Sequence, residues 1–333
     1  MISDSLLDQT AARFPHFFRD RIRIEPLEKG GSDRKYYRIA VSGEGSLILV
    51  KYGSQREENR HYCDIAAFMA SLGVRVPKIF HHDSEEGLIW MEDLGADDLW
   101  QFRNEPWSAR EPLYHSALEQ MVRLHTRGHR ATSATMPRFQ LAFDADLYRW
   151  EQHYFFENCA GRYFGIPPAA IDAGCEHARL NEIAERLAAL PRVLVHRDFQ
   201  SQNIMILDHT ACLIDFQGMR PGLGQYDLAS LLYDPYVMLT ASERESLLAD
   251  AEALYAEAGA PVGSDFREIF DLCALQRLMQ ALGAYGFLGL VKEQPQFLAH
   301  IPPALASLRE VAARIPGLDG FRRLLDRLIT PQK

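Results

Sequence analysis

A chain of 333 residues, nearly half of them apolar and a quarter charged, can fill two lobes with a substantial core. Its formal net charge of −9 lacks the basic footprint of a general nucleic-acid binder. Five scattered cysteines (Cys63, Cys159, Cys175, Cys212 and Cys273) form no CxxC pair, which argues against a disulfide framework or zinc site. The amino-terminal stretch has no signal-peptide core and no apolar run is long enough to span a bilayer, so a cytosolic protein is expected.

In chain order, periodicity first predicts an amphipathic helix over 4–18, with Leu6, Leu7 and Ala11 on one face. Three strand-like runs follow at 21–27, 35–41 and 46–52, separated by glycine turns in the pattern of a meander. Gly30-Gly31-Ser32-Asp33 lies in the first turn. Small residues such as Gly31 and Ser32 would let backbone N–H groups approach phosphates, although an ordinary hairpin turn also fits. Lys51 ends the third run, LILVK. Ser54 and Glu57 form a capping box for a helix reaching about Leu72, on which Glu58 shares a face with Tyr62, Ile65 and Met69. Two further strands, KIFHHD and GLIWMED, flank a turn at 84–87. LIWMEDLG then runs from strand into a hinge at 92–96, where backbone groups of Glu92 and Leu94 are candidates for an adenine edge and Trp90 reads as core.

Beyond Gly95 strand signals nearly vanish. Helical periodicity covers 106–128, 144–159 and 167–190. The spacing of Leu147, Trp150, Tyr154 and Phe155 reads as core, with sugar stacking as the functional alternative and Glu151 as a possible acceptor of sugar hydroxyls. Strand signals return around HRDFQSQN (196–203) and through 211–214. From Gln225 the chain reads helical again, with a second capping box at Thr240 and Glu243. The expected fold class is α+β: a small antiparallel β lobe over 1–95 and a larger, mostly helical lobe over 96–333. His61, His81, His82 and His125 show no metal-ligand spacing and read as incidental.

The chemistry concentrates in two short segments. His196-Arg197-Asp198 is followed five residues later by Asn203, and after a strand by Asp215-Phe216-Gln217. Phosphoryl transfer asks a protein mainly for positioning and charge neutralisation. Asp198 would orient an attacking hydroxyl and take its proton, while Asn203 and Asp215 supply hard oxygen ligands for Mg2+. Lys51, on the third strand, would anchor the phosphates of ATP and pair with Glu58. Asp227 opens an apolar helix; it either complements the helix dipole or braces the catalytic loop through Arg197 or backbone amides, with His196 as further support. Gln200 and Gln202 stand beside the proposed base as neutral amides that can hydrogen-bond a polyol or pack the loop.

This set resembles the protein-kinase-like phosphotransferases, with their two-lobe fold, and more narrowly the aminoglycoside phosphotransferase (choline-kinase-like) family, over Gly30 to about Tyr236. The stretches IDFQ, YDLASLLYDPYV and EDLG are similar to bacterial amino-sugar kinases of cell-wall recycling. That resemblance implies an ATP- and Mg2+-dependent kinase acting on the anomeric hydroxyl of N-acetylmuramate or N-acetylglucosamine. Asp198 would be the base, Asn203 and Asp215 the metal ligands, Lys51 the phosphate anchor and Glu151 a sugar contact.

Only eleven residues separate Asp215 from Asp227, and they contain no Ala-Pro-Glu motif, which leaves little room to dock a peptide. A small sugar is therefore the expected partner, with no nucleic acid, membrane or obligate protein partner. An anomeric hydroxyl is acidic enough for a carboxylate of ordinary pKa to serve as base. Arg220 and Arg277 read either as surface charges or as partners for an anionic group. A kinase for an aminoglycoside, choline-like compound or other amino alcohol is the alternative within the class. A pseudokinase is the alternative outside it, opposed by the presence of Lys51, Asp198, Asn203 and Asp215 together.

Overall fold

The computed structural model describes residues 2–15, 17–18, 21–27, 34–41, 45–53, 59, 61–128, 136–175 and 177–329. Gly31, Ser32, Glu58 and the capping box at Ser54 and Glu57 lie outside the described residues. The chain begins with helix α1 (Ile2–Arg13), which ends short of the expected Phe18 because Pro15 disfavours helical backbone at Phe14. Strands β1 (Ile22–Leu27), β2 (Lys35–Val41), β3 (Gly45–Lys51), β4 (Ile79–Asp83) and β5 (Leu88–Glu92) form one antiparallel sheet in the order β1-β2-β3-β5-β4. Helix α2 (Tyr62–Ser71) lies between β3 and β4.

The unbroken apolar run of β3 has a simple cause: both faces of the sheet are covered. Leu47 and Leu49 pack with Leu6 and Leu7 of α1, whereas Ile48 and Val50 pack with Tyr62, Ile65 and Met69 of α2. Each fully buried Leu or Ile contributes about 1.5–3 kcal/mol over leaving it exposed. Trp90 is fully buried under α1 and donates its Nε1–H to Thr10 Oγ1 at 2.9 Å, so its one polar atom is satisfied.

The hinge is pinned by charge. Asp93 accepts two bonds from the Arg38 guanidinium and one from Ser46, and Glu92 is held by the fork of Arg75. These partners hold both carboxyl groups below the usual carboxylate range. For Asp93 burial pushes the other way and is outweighed.

The larger lobe comprises α3 (Trp107–Gly128), α4 (Ala145–Phe155), α5 (Pro168–Gly174), α6 (His177–Ala189), α7 (Gly224–Leu232), α8 (Ala241–Glu257), α9 (Phe266–Leu290), α10 (Ile301–Arg314) and α11 (Asp319–Ile329). The helix expected over 144–159 passes at Phe156 into π-helical turns running to Tyr163, and the one expected over 167–190 breaks at Cys175. Helix α4 corrects the sequence reading of its face. It buries Tyr148, Glu151, Gln152 and Phe155, while Trp150 is 47 % exposed and stacks on Tyr154. The Thr240–Glu243 capping box is present at the start of α8. Long, buried α9 packs against α4, α7 and α10 and forms the spine of the lobe.

Two small ribbons carry the chemistry-bearing loops. Strand β6 (Val193–Val195) pairs with β9 (Arg220–Gly222), and β7 (Ile204–Leu207) pairs with β8 (Thr210–Leu213) in a hairpin. HRDFQSQN connects β6 to β7, and Asp215-Phe216-Gln217 follows β8.

Candidate active site

Asp227, in the first turn of α7, is fully buried and organises the loop 196–203. Its two oxygens accept the N–H groups of His196 and Arg197 at 2.7 Å each, and Nε2 of His125 lies 2.9 Å away. These bonds hold Arg197 at a φ of 80°, a left-handed conformation that costs an L-residue about 1–2 kcal/mol. His125 is therefore not incidental: it bridges Asp227 and the Tyr255 hydroxyl, 2.6 Å from Nδ1. It fits because Gly224 has no Cβ, which would stand 2.8 Å from Nδ1. On the other side of the loop Asp234 accepts both the N–H and the hydroxyl of Ser201. His196 reaches across to the Ile214 carbonyl at 2.9 Å.

So held, Asp198 presents a carboxyl group that is 28 % exposed, with Arg197 Nη1 at 3.2 Å and Arg277 Nη2 at 3.7 Å. Burial pushes the carboxyl up. Arg197, Arg277, His196 and Arg220 outweigh it, and the net result lies below the usual range rather than at the ordinary value expected from sequence.

Asn203 donates its Nδ2–H to the Asp198 carbonyl at 2.9 Å, so its Oδ1 is the atom left to meet a cation. The β7–β8 hairpin continues through an Ile214 N–H to Asn203 carbonyl bond of 3.0 Å, which brings Asp215 to the same edge. Asp215 adopts a φ of 63°. Its Oδ1 accepts from both Arg34 (2.9 Å) and Gln217 (2.8 Å), leaving Oδ2 without a hydrogen bond among the described residues. Asn203 Oδ1 and Asp215 Oδ2 are two uncommitted hard oxygens at one edge, a donor set that fits Mg2+.

Beyond Asp198 lies a buried polar wall. Glu151 is 1 % exposed. Its Oε1 accepts the Tyr226 hydroxyl at 2.6 Å, and its Oε2 is buried without a partner among the described residues. Burial pushes its carboxyl up to about 7, against the pull of Tyr226, Arg197, Arg277 and Arg220. Arg277 is no surface charge: it is 8 % exposed, donates to Ser230 at 2.8 Å and Gln200 at 3.3 Å, and bonds Gln280. Arg220 is half-buried, with its guanidinium over the Phe143 ring. Tyr236 and Tyr285 stand edge to face within electrostatic reach of Arg277.

Other predicted residues sit apart from this cluster. Lys51 is exposed at the end of β3, in register with Lys35 and Leu88, and forms no ion pair among the described residues. The Glu92 N–H is taken by the Lys78 carbonyl at 2.8 Å, so Glu92 has at most its own carbonyl to offer an adenine. The Leu94 N–H has no acceptor among the described residues. Gln202 sits in the single turn before β7, and its side chain has no hydrogen bond among the described residues. Sequence reasoning missed Arg34 and Asp234 altogether. Asp234 had a readable signal, since Asp-Pro at 234–235 marks a turn in which the carboxylate caps nearby backbone.

The sheet lobe, the helical lobe and the loop pair between them define a protein-kinase-like phosphotransferase fold. The chain belongs to the phosphotransferase enzyme family, whose model matches residues 23–262. It is an enzyme and a kinase. It is similar to N-acetylmuramate/N-acetylglucosamine kinase of Pseudomonas aeruginosa, at 27% identity over 310 residues covering 91% of this chain and 88% of the relative. The kinase of the same name from Neisseria meningitidis serogroup B is 24% identical over 89% and 87% of the two chains.

Among solved structures, a choline/ethanolamine kinase family protein from Mesorhizobium loti superposes with a TM-score of 0.63 at 20% identity, covering 99% of each chain. An ADP-bound aminoglycoside phosphotransferase gives 0.58 at 12% identity, covering 90% of this chain and 98% of that one. Among the described residues no helix is long and apolar enough to cross a membrane.

Proposed function

We propose that the protein transfers the γ-phosphoryl group of ATP to a small sugar, at the anomeric hydroxyl of an N-acetylated amino sugar such as N-acetylmuramate or N-acetylglucosamine. One observation carries the acceptor: Glu151 Oε2, buried and unpartnered, lies in a wall that also holds Arg197, Arg220 and Arg277. A buried acceptor atom left unsatisfied is costly, and a ligand hydroxyl would satisfy it. Arg197, Arg220 and Arg277 face both Glu151 and Asp198, so the wall carries three cations against two carboxylates, a balance that suits a neutral polyol or one bearing a carboxylate better than a cationic amino alcohol. The kinases named for N-acetylmuramate and N-acetylglucosamine, aligned over most of both chains, support the same acceptor.

In this reading residues 1–95 grip the nucleotide and 96–333 the sugar, in the cytosol where ATP is supplied. Asp198 orients the hydroxyl and receives its proton as the new oxygen–phosphorus bond forms and the bond to the ADP leaving oxygen breaks. A carboxylate below its usual range is adequate here, because in a loose transition state the nucleophile gives up its proton late. Asn203 Oδ1 and Asp215 Oδ2 would hold Mg2+, which supplies charge neutralisation on the phosphates. Lys51 and the Gly31–Ser32 turn serve the phosphates, with Glu58 as partner to Lys51, and the Leu94 N–H serves the adenine. Gln200, tied to Arg277, and Gln202 border the sugar.

The test is a steady-state screen of N-acetylmuramate, N-acetylglucosamine, choline and an aminoglycoside, with the product phosphate located by NMR. Turnover of an N-acetylated sugar at its anomeric oxygen is expected; preferred turnover of choline or the aminoglycoside overturns the reading.

Glu151 carries a pH signature. Its carboxyl ionises at about 7, so below that it is protonated and no longer accepts a hydroxyl proton through either oxygen with full strength. kcat/KM for the sugar should fall as pH drops through 7, and this limb should disappear in Glu151→Gln. An unchanged profile in the variant removes Glu151 from the sugar site.

A further inference from the structure

Arg220 opens strand β9 opposite Val195, the last residue of β6 before His196-Arg197-Asp198. The ribbon therefore fixes it beside the loop that carries Asp198. Its guanidinium lies 5.3 Å from the centroid of the Phe143 ring. That ring is itself held: the Phe143 N–H bonds the Pro221 carbonyl at 2.9 Å, and the ring packs on Tyr148 and Tyr226 at 5.2 and 4.7 Å. Nε of Arg220 donates to the Gly218 carbonyl at 3.3 Å, and both terminal nitrogens are uncommitted among the described residues.

The other two arginines of the wall are engaged. Arg197 reaches Asp198 at 3.2 Å. Arg277 donates to Ser230, Gln200 and Gln280 and lies 3.7 Å from Asp198. Arg220 forms no ion pair among the described residues. Burial and the nearby Arg197 pull its pKa below the usual arginine range, against Tyr226, Asp198 and Glu151. A half-buried cation with no anion at bonding distance is held at a cost, and an anionic ligand removes that cost.

N-acetylmuramate differs from N-acetylglucosamine by a lactyl ether on O3, which ends in a carboxylate. The ether stands two ring carbons from the anomeric hydroxyl. With that hydroxyl at Asp198, the carboxylate needs a cation near Asp198 but not bonded to it. Arg220 alone of the three arginines meets the condition. We infer that Arg220 is a specificity-determining residue, which takes the carboxylate of an acidic amino sugar through its two terminal nitrogens and favours N-acetylmuramate over neutral N-acetylglucosamine. The inference rests on reading the acceptor as an N-acetylated amino sugar and Asp198 as the group that faces its anomeric hydroxyl. A planar guanidinium suits the task, since its fork matches a carboxylate.

The test reads kcat/KM for the two sugars as a ratio. Wild type should favour N-acetylmuramate, and Arg220→Gln should lower the ratio by about tenfold, the worth of one charge-assisted bond. Loss of Arg220 also relaxes the hold on Asp198 and Glu151, but that change acts on both sugars and cancels in the ratio. A misfolded fraction cancels likewise. Arg220→Lys, which keeps the charge but not the fork, should give a ratio between the two. The lactyl carboxamide of N-acetylmuramate probes the same contact without a mutation: wild type should use it about tenfold less well than the acid.

If the ratio is unchanged in Arg220→Gln, whether or not both rates fall, Arg220 serves the transferred phosphate or the packing of the wall and the inference falls. It falls also if wild type prefers N-acetylglucosamine, or uses the carboxamide as well as the acid. Those results leave the sugar reading standing. If wild type turns over neither sugar, the acceptor assignment fails and takes this inference with it.

Discussion

Asp198→Asn should lower kcat by on the order of a thousandfold, the scale of a general base, while leaving the affinity for an ATP analogue within a few-fold of wild type. The geometry separates the two effects. Asp198 touches Arg197 and Arg277 and faces the buried Glu151 wall, whereas the candidate metal oxygens belong to Asn203 and Asp215. The amide is isosteric, so the Asn203 bond to the residue 198 carbonyl survives. What is lost is an acceptor for the hydroxyl proton and the negative charge opposite two arginines. Single-turnover kinetics with parallel calorimetry would read both quantities. A variant retaining more than a tenth of wild-type kcat would show that Asp198 is not the base.

Asp227→Ala should cost about 3–5 kcal/mol of folding stability, the range for removing one partner from a buried polar network. Three donors lose their acceptor at once: the N–H groups of His196 and Arg197, and His125. The left-handed backbone of Arg197 loses the bond that holds it, so the loop carrying Asp198 should also relax and activity should fall with stability. Denaturant unfolding measures the first effect. Asp227→Asn keeps one strong acceptor but cannot serve all three donors as well, and should fall between wild type and alanine. A loss below about 1 kcal/mol for the alanine variant would mean that the loop is held by Asp234 and Ser201 instead.

The sequence disclosed most readily what depends on neighbours along the chain. The apolar run LILV, the turn at 84–87 and the Thr240–Glu243 capping box are local, and each has its counterpart in the structure. The spacing of HRDFQSQN and IDFQ likewise rests on one short hairpin, which brings Asn203 and Asp215 to one edge. What escaped depends on partners far away. Arg34 meets Asp215 across 181 residues and His125 meets Asp227 across 102, and neither residue type announces a partner at that range. Helix α4 misled for a different reason. The spacing of Leu147, Trp150, Tyr154 and Phe155 reads as core, which holds for Phe155 but not for Trp150; the buried face is set by what α9 and α7 offer, and they offer Glu151 a tyrosine hydroxyl. Arg277 stays open in sequence between a surface charge and a partner for an anionic group, because cations are usually exposed; its position in the middle of α9 makes it interior.

The pairing of β6 with β9 has a bearing on how the enzyme is governed. Between Asp215 and Asp227 the chain is a single turn, three residues of strand and the opening of α7, joined only by Met219 and Leu223. Protein kinases keep a long segment there, whose ordering by a phosphate group turns the enzyme on. Here no such length exists to be ordered. Such an enzyme has no ignition key at this position.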